Sequence, residues 1–158
     1  MNRRLFLSTA LAAIILVIPS TIPTTSAATA TTGQRCAEMT KAVNARREPA
    51  DLRTLAVLCR VAEVRARDMV VGGYFAHDLA PARTALRAAG IKYCNLGEAI
   101  AWHSVWQTPS RWAGDWWSSP EHRSLLNDGQ FDAGAGSFTG TRTYYPYAVA
   151  VFYIVDLC

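Results

Sequence analysis

Histidine and cysteine are scarce in this 158-residue chain: three of the first, four of the second, and no Cys-x-x-Cys pair. That spacing excludes a zinc ribbon and a thioredoxin-type redox motif. No Gly-x-Ser-x-Gly elbow appears, so the nucleophile of an α/β-hydrolase is excluded too. Charged residues make up only 18% of the chain, and the basic ones are spread along helical segments instead of forming a patch. Nucleic acid is therefore not an expected partner. Beyond the N-terminus no apolar run is long enough to span a membrane. No internal repeat and no linker divide the remainder.

What is present begins with a secretory signal. Arg3 and Arg4 form a positive start, Leu5 to Ile18 an apolar run broken only by Ser8 and Thr9, and a Ser, Thr and Ala-rich stretch follows Pro19. Cleavage is expected after Ala28 or Ala30, with Ala30 preferred, giving a signal peptide over 1–30 and a single domain over 31–158. The apolar run is shorter than the roughly 20 residues of a spanning helix, so no stable membrane span is expected after cleavage. Removing 1–30 takes away two arginines and no acidic residue, and the formal net charge falls from +4 to +2. The mature chain is expected to be secreted and extracellular. With 51% hydrophobic residues it can bury a sizeable core. In an oxidising compartment Cys36, Cys59, Cys94 and Cys158 would form two disulfides, with three connectivities open.

Periodicity places helices first. Cys36, Met39, Thr40 and Val43 recur at helical spacing. Thr54 reads as the cap of a second helix, whose apolar face is Leu55, Leu58, Cys59, Ala62, Ala66, Met69 and Val70 and whose end is Gly72-Gly73. Pro81 opens a short third helix that Gly90 stops, with Asp78 as its expected cap. Gly97 to Trp102 reads as a strand. Thr108-Pro109 starts a helix carrying the core residues Trp112 and Trp116, and Ser119-Pro120 starts another. Phe131 to Phe138 is a Gly-rich strand that implies close backbone approach. Thr139-Gly140-Thr141 reads as a hairpin turn. Tyr147 to Leu157, apolar almost throughout, reads as a central strand covered on both faces. Helices followed by antiparallel strands make this an α+β chain. His77, Glu98 and His122, from three distant segments, are the polar groups that could line one cleft. His103, beside Trp102, is expected to be packed or on the surface and not a ligand.

Three blocks carry a family resemblance. Gly73-Tyr74-Phe75-Ala76-His77 resembles a G-Y-F-S-H block. Gly97-Glu98-Ala99-Ile100-Ala101 resembles G-E-N-I-A, with Ala99 in place of Asn. Trp116 to Leu126 resembles W-M-x-S-P-G-H-R-x-x-L, followed over Phe131 to Gly136 by a pattern like F-x-x-x-G-x-G. In this order they resemble the CAP superfamily (cysteine-rich secretory proteins, antigen 5, pathogenesis-related proteins), or SCP domain, in its bacterial secreted form, over Cys36 to Cys158. The resemblance implies a three-layer α–β–α sandwich with a central, mainly antiparallel sheet. It implies a cleft of two histidines and two acidic residues, which in some relatives binds zinc or another divalent metal. Residue by residue this gives His77, Glu98 and His122. Ser119 stands where eukaryotic relatives carry a glutamate, and Glu121, replacing the usual glycine before His122, is the candidate fourth group. The loop after His77 is shorter than usual, which implies a shallower or more open cleft. The family sandwich puts the first two helices on opposite sides of the sheet, so the pairing expected is Cys59–Cys94 with Cys36–Cys158.

Two function classes follow. The first is a non-enzymatic extracellular binding domain, whose partner classes under the resemblance are a lipid or sterol, or a cell-surface or host protein. Trp102, Trp106, Tyr144, Tyr145 and Tyr147 could offer it an aromatic surface. The second is a metal-dependent secreted hydrolase, a peptidase or cell-wall enzyme, in which a metal on His77, Glu98 and His122 would activate water. The first is preferred, because Ser119 stands where the fourth acidic group of the cleft would be expected, and no serine or cysteine offers itself as a nucleophile.

Overall fold

The computed structural model describes residues 30–104, 106–140 and 147–158. Its hub is the last strand, β4 (Ala148–Asp156), buried without a break from Ala148 to Val155. β2 (Asn95–His103) and β3 (Ala133–Gly140) flank it, both antiparallel, and the two-residue β1 (Arg53–Thr54) adds to β3 in parallel. The sheet order is β1-β3-β4-β2, so β2 is an edge strand. The alternation of β4 divides the core. Val149, Val151, Tyr153 and Val155 face one side, with α2 (Ala56–Gly72) and α3 (Ala80–Ala88). Ala148, Ala150, Phe152 and Ile154 face the other, with α1 (Thr32–Asn44), α4 (Pro109–Ser118) and α5 (Pro120–Leu126). This is the expected α+β, α–β–α sandwich with a mainly antiparallel sheet.

Local chemistry explains most of the boundaries. Thr31 and Gln34 form a reciprocal capping box that starts α1 ahead of its first apolar residue. Thr108 and Ser119 cap α4 and α5, each followed by proline. Gly73 ends α2 in the left-handed region, φ 65°. Asp78, the expected cap of α3, stands one residue before the actual cap position, Leu79, which makes no side-chain capping bond; its carboxylate accepts the Ala80 N–H at 2.9 Å. A Cβ on Gly136 would lie 2.9 Å from the Val151 carbonyl and closer still to Phe152, so the strand glycines do serve close approach.

Three expectations need correcting. Thr54 does not cap α2. It lies in β1, and Leu55 takes the cap position, its N–H donating to the Gly134 carbonyl at 3.2 Å. A two-residue strand is too short to leave a period in the sequence. Thr139 and Gly140 do not turn; they remain in β3 opposite Val149 and Ala148, and Thr141 lies outside the described residues. So do residues 1–29 of the expected signal, Tyr144 and Tyr145. Among the described residues no helix is long and apolar enough to cross a membrane.

The third correction concerns the disulfides, which join Cys36 to Cys59 and Cys94 to Cys158. The helices α1 and α2 do lie on opposite faces. However, β1 is so short that the edge of β3 is uncovered past Gly134, and the two helices meet around it. Cys36 and Cys59 come to a Cα separation of 5.5 Å there. Arg35 and Thr32 of α1 reach Glu63 of α2 at the same place. At the other edge the antiparallel register sets Asn95 against Asp156. The cysteines just outside that pair, Cys94 and Cys158, then stand with Cα atoms 5.6 Å apart. The two bridges are worth about 3 and about 4 kcal/mol by loop-closure entropy.

Candidate functional site

The site forms where the two helical layers meet over the edge strand β2. After the left-handed turn at Gly73, residues 74–78 pass over Glu98 of β2 on the α2 side of the sheet. From the other side α5 brings His122. The imidazoles of His77 and His122 stand with ring centroids 6.3 Å apart, tilted by 51°. Three sequence-distant groups are thereby brought together, because Glu98 lies beneath His77 on β2.

Glu98 is almost wholly enclosed, with 1% of its side chain exposed, whereas 57% of the His77 side chain is open to solvent. One carboxylate oxygen, Oε2, lies 2.8 Å from His77 Nδ1, within hydrogen-bond distance, and accepts from the Asp78 N–H at 3.0 Å. The other, Oε1, points inward and has no hydrogen-bond partner; Arg65 Nε stands 4.0 Å away. Arg65, from α2, is itself buried. Its Nη1 donates to the Tyr74 hydroxyl at 2.6 Å and its Nη2 to the Ala76 carbonyl. The Tyr74 hydroxyl in turn donates to Asp68 at 3.0 Å. Tyr153, directly opposite Glu98 on β4, points its hydroxyl at the Asp78 carbonyl, 3.4 Å away. Burial, and after it the adjacent Glu98 charge, push the Tyr153 phenol far up. Burial first, then His77, hold His122 below the ordinary imidazole range, and Glu121 acts in the opposite sense.

Glu121 does not join the cluster. It is exposed in the first turn of α5, where a carboxylate suits the helix dipole. Ser119, at the family's acidic position, is occupied by capping: its hydroxyl accepts the His122 N–H at 3.5 Å. Glu98 turns Oε2 to His77 and the Asp78 amide and Oε1 inward, which leaves the two imidazoles as the ligand groups that face outward. Among the described residues no three His, Cys, Asp or Glu side chains are grouped to hold a metal ion. A catalytic zinc takes three protein ligands, so this set does not fit that centre. Both disulfides are closed and no cysteine is free, and the only described side-chain hydrogen bond of His77 goes to Glu98. The site can therefore offer and accept hydrogen bonds at two imidazoles.

Sequence reasoning missed Arg65, Tyr74, Tyr153 and the Asp78 amide. Arg65 had left a signal: it falls on the buried stripe of α2 between Ala62 and Met69, where an unpaired charge is costly. Tyr153 left none, since only the β2–β4 register brings it to Glu98. The other expected residues are placed plainly. His103 is packed, its Nε2 2.6 Å from Asp115 and its ring edge-on to Trp112. Trp112 and Trp116 are wholly buried. Trp102 is 55% exposed and stacks against Tyr147, and Trp106 is 42% exposed against Phe138.

Comparison of the sequence with protein-family models and with curated proteins gives no match. Comparison of the fold does. A cysteine-rich secretory protein of Staphylococcus aureus is similar over 78% of this chain and 38% of its own, with TM-score 0.55 and 15% identity. An outer surface protein of Borrelia burgdorferi is similar over 77% and 89%, TM-score 0.57, 15% identity. An extracellular protein of Bacillus anthracis containing an SCP domain is similar over 76% and 40%, TM-score 0.55, 22% identity. The likeness is one of fold, and the chain has the CAP/SCP-like fold. It spans about two fifths of the length of the Staphylococcus and Bacillus proteins.

Proposed function

We propose that this protein is an extracellular, non-enzymatic binding domain, and that the cleft between His77 and His122 is its ligand site. The observation that carries the reading is the orientation of Glu98. A general base or metal ligand must present its carboxylate to the cleft, whereas this one is buried and used to hold residues 77 and 78 on β2. Two disulfides suit an oxidising, extracellular compartment, and two of the similar structures are described as an outer surface protein and an extracellular protein. The partner classes implied by the family resemblance, a lipid or sterol or a cell-surface or host protein, are the candidates for the ligand.

The test is an activity and zinc-binding comparison of the wild type with a His77→Ala, His122→Ala double variant. Peptide and cell-wall substrates are expected to show no turnover with or without added zinc. Turnover that requires zinc and vanishes in the double variant would restore the metal-dependent hydrolase. Vesicles containing sterol or phospholipid probe the binding reading, and any retention is expected to be lost in the same variant.

A further inference from the structure

A fully buried carboxylate is expensive unless a charge and hydrogen bonds compensate it. Around Glu98 stand His77 and Asp78 from the segment crossing β2, Tyr153 from β4 and Arg65 from α2. Of these only Arg65 carries a permanent positive charge. It is also the anomaly of its own helix, a guanidinium on a stripe otherwise made of Leu58, Cys59, Ala62, Ala66 and Met69. Packing alone gives no reason for it.

Its contacts do. One nitrogen holds the Tyr74 hydroxyl and another the carbonyl of Ala76, the residue that directly precedes His77. The third, Nε, has no hydrogen-bond partner and lies 4.0 Å from Glu98 Oε1, which also has none. One side chain thus fixes the backbone that carries the histidine and faces the carboxylate that the histidine uses. An ionised carboxylate only accepts hydrogen bonds, so a Glu98 held in that form requires the proton of neutral His77 on Nδ1. The carboxylate then orients the ring and leaves the other nitrogen bare.

We infer that Arg65 is the positioning residue of this cleft: it holds Glu98 as an ionised acceptor and anchors Ala76, so that His77 keeps its proton on Nδ1 and offers Nε2 as an acceptor to whatever binds between the histidines. A ligand carrying a hydroxyl, amide or ammonium donor fits that nitrogen. The inference rests on the proposed ligand site, but the tautomer can be read without any ligand. A protein that bound nothing would remove the functional reading and leave this one standing.

The experiment is long-range proton–nitrogen NMR of the full, oxidised chain, above the ordinary imidazole pKa of about 6.5. Wild-type His77 is expected in the Nδ1–H form. Arg65→Lys, which keeps the charge, is expected to keep that form. Arg65→Met, which keeps most of the bulk, is expected to shift His77 mainly to Nε2–H. A wild-type His77 protonated on Nε2, or a folded Arg65→Met protein still protonated on Nδ1, overturns the inference. Should Arg65→Met not fold, the Arg65 Nε–H resonance decides. It is expected to move in Glu98→Gln, and an unmoved resonance there overturns the inference equally.

Discussion

The two faces of the sheet are filled by different chemistry. Toward α1, α4 and α5 the core is aromatic, with Trp112, Trp116, Phe131, Phe138 and Phe152 seated over a strand thinned by glycine. Toward α2 and α3 it is mainly aliphatic, with Tyr153 the one fully buried aromatic among the described residues, and it encloses Arg65 and Glu98. The first face is stabilised by volume and close packing. The second contains a charge pair that stabilises little by itself and becomes costly once broken. The histidines belong one to each side and meet only at the β2 edge, so the candidate site is where two differently built cores abut.

The sharpest way to break this contrast is to empty each face in turn. Trp116→Ala removes a wholly buried indole that packs on Phe152 at 5.9 Å, and is expected to cost about 3–5 kcal/mol in urea unfolding. Trp116→Phe should cost much less, because the indole N–H has no partner to lose. On the other face Glu98→Ala leaves Arg65 buried without its counter-charge and is expected to cost about 3 kcal/mol. Pairing it with Arg65→Met should recover part of that loss. If the double change costs the sum of the two single ones, the pair is not coupled and the contrast between the faces fails.

The bridge that joins the faces gives a smaller effect. Cys36→Ala with Cys59→Ala is expected to lower stability by about 3 kcal/mol or somewhat less. Non-reducing peptide mapping of the wild type should recover Cys36 with Cys59 and Cys94 with Cys158. The smallest effect is the titration of His122. Its folded pKa lies below the unfolded value of about 6.5. Between the two values the unfolded chain binds more protons, so this contribution is complete above about pH 6.5 and is lost as pH falls toward the folded value. The thermal midpoint of His122→Asn should fall less steeply with acid than that of the wild type; an equal or steeper fall would contradict the burial of His122.

The residues that came through from the sequence are those whose information is local. Pro81, Pro109 and Pro120 at helix starts, Gly73 at a helix end, and the alternation of β4 need only their neighbours to be read. His77, Glu98 and His122 were legible as motif blocks in order. Their geometry was not, because the role of Glu98 depends on which way its carboxylate turns. Glu121 shows the same limit: a carboxylate beside His122 in sequence is not beside His77 in space.

By itself the sequence determined the helices, the three longer strands in outline and the α+β class, since burial periodicity and capping are short-range properties, and it marked the three cleft segments through their motif blocks. Only the tertiary structure decided the cysteine pairing, the enclosure of Glu98 and the place of Arg65. Each depends on what meets across a sheet edge or between opposite strands, and such meetings are set by register and layer packing over tens of residues. A helix on the far face of a sheet can still touch its counterpart around a short edge strand. An arginine on an apolar stripe acquires its reason only when the carboxylate opposite it is in place.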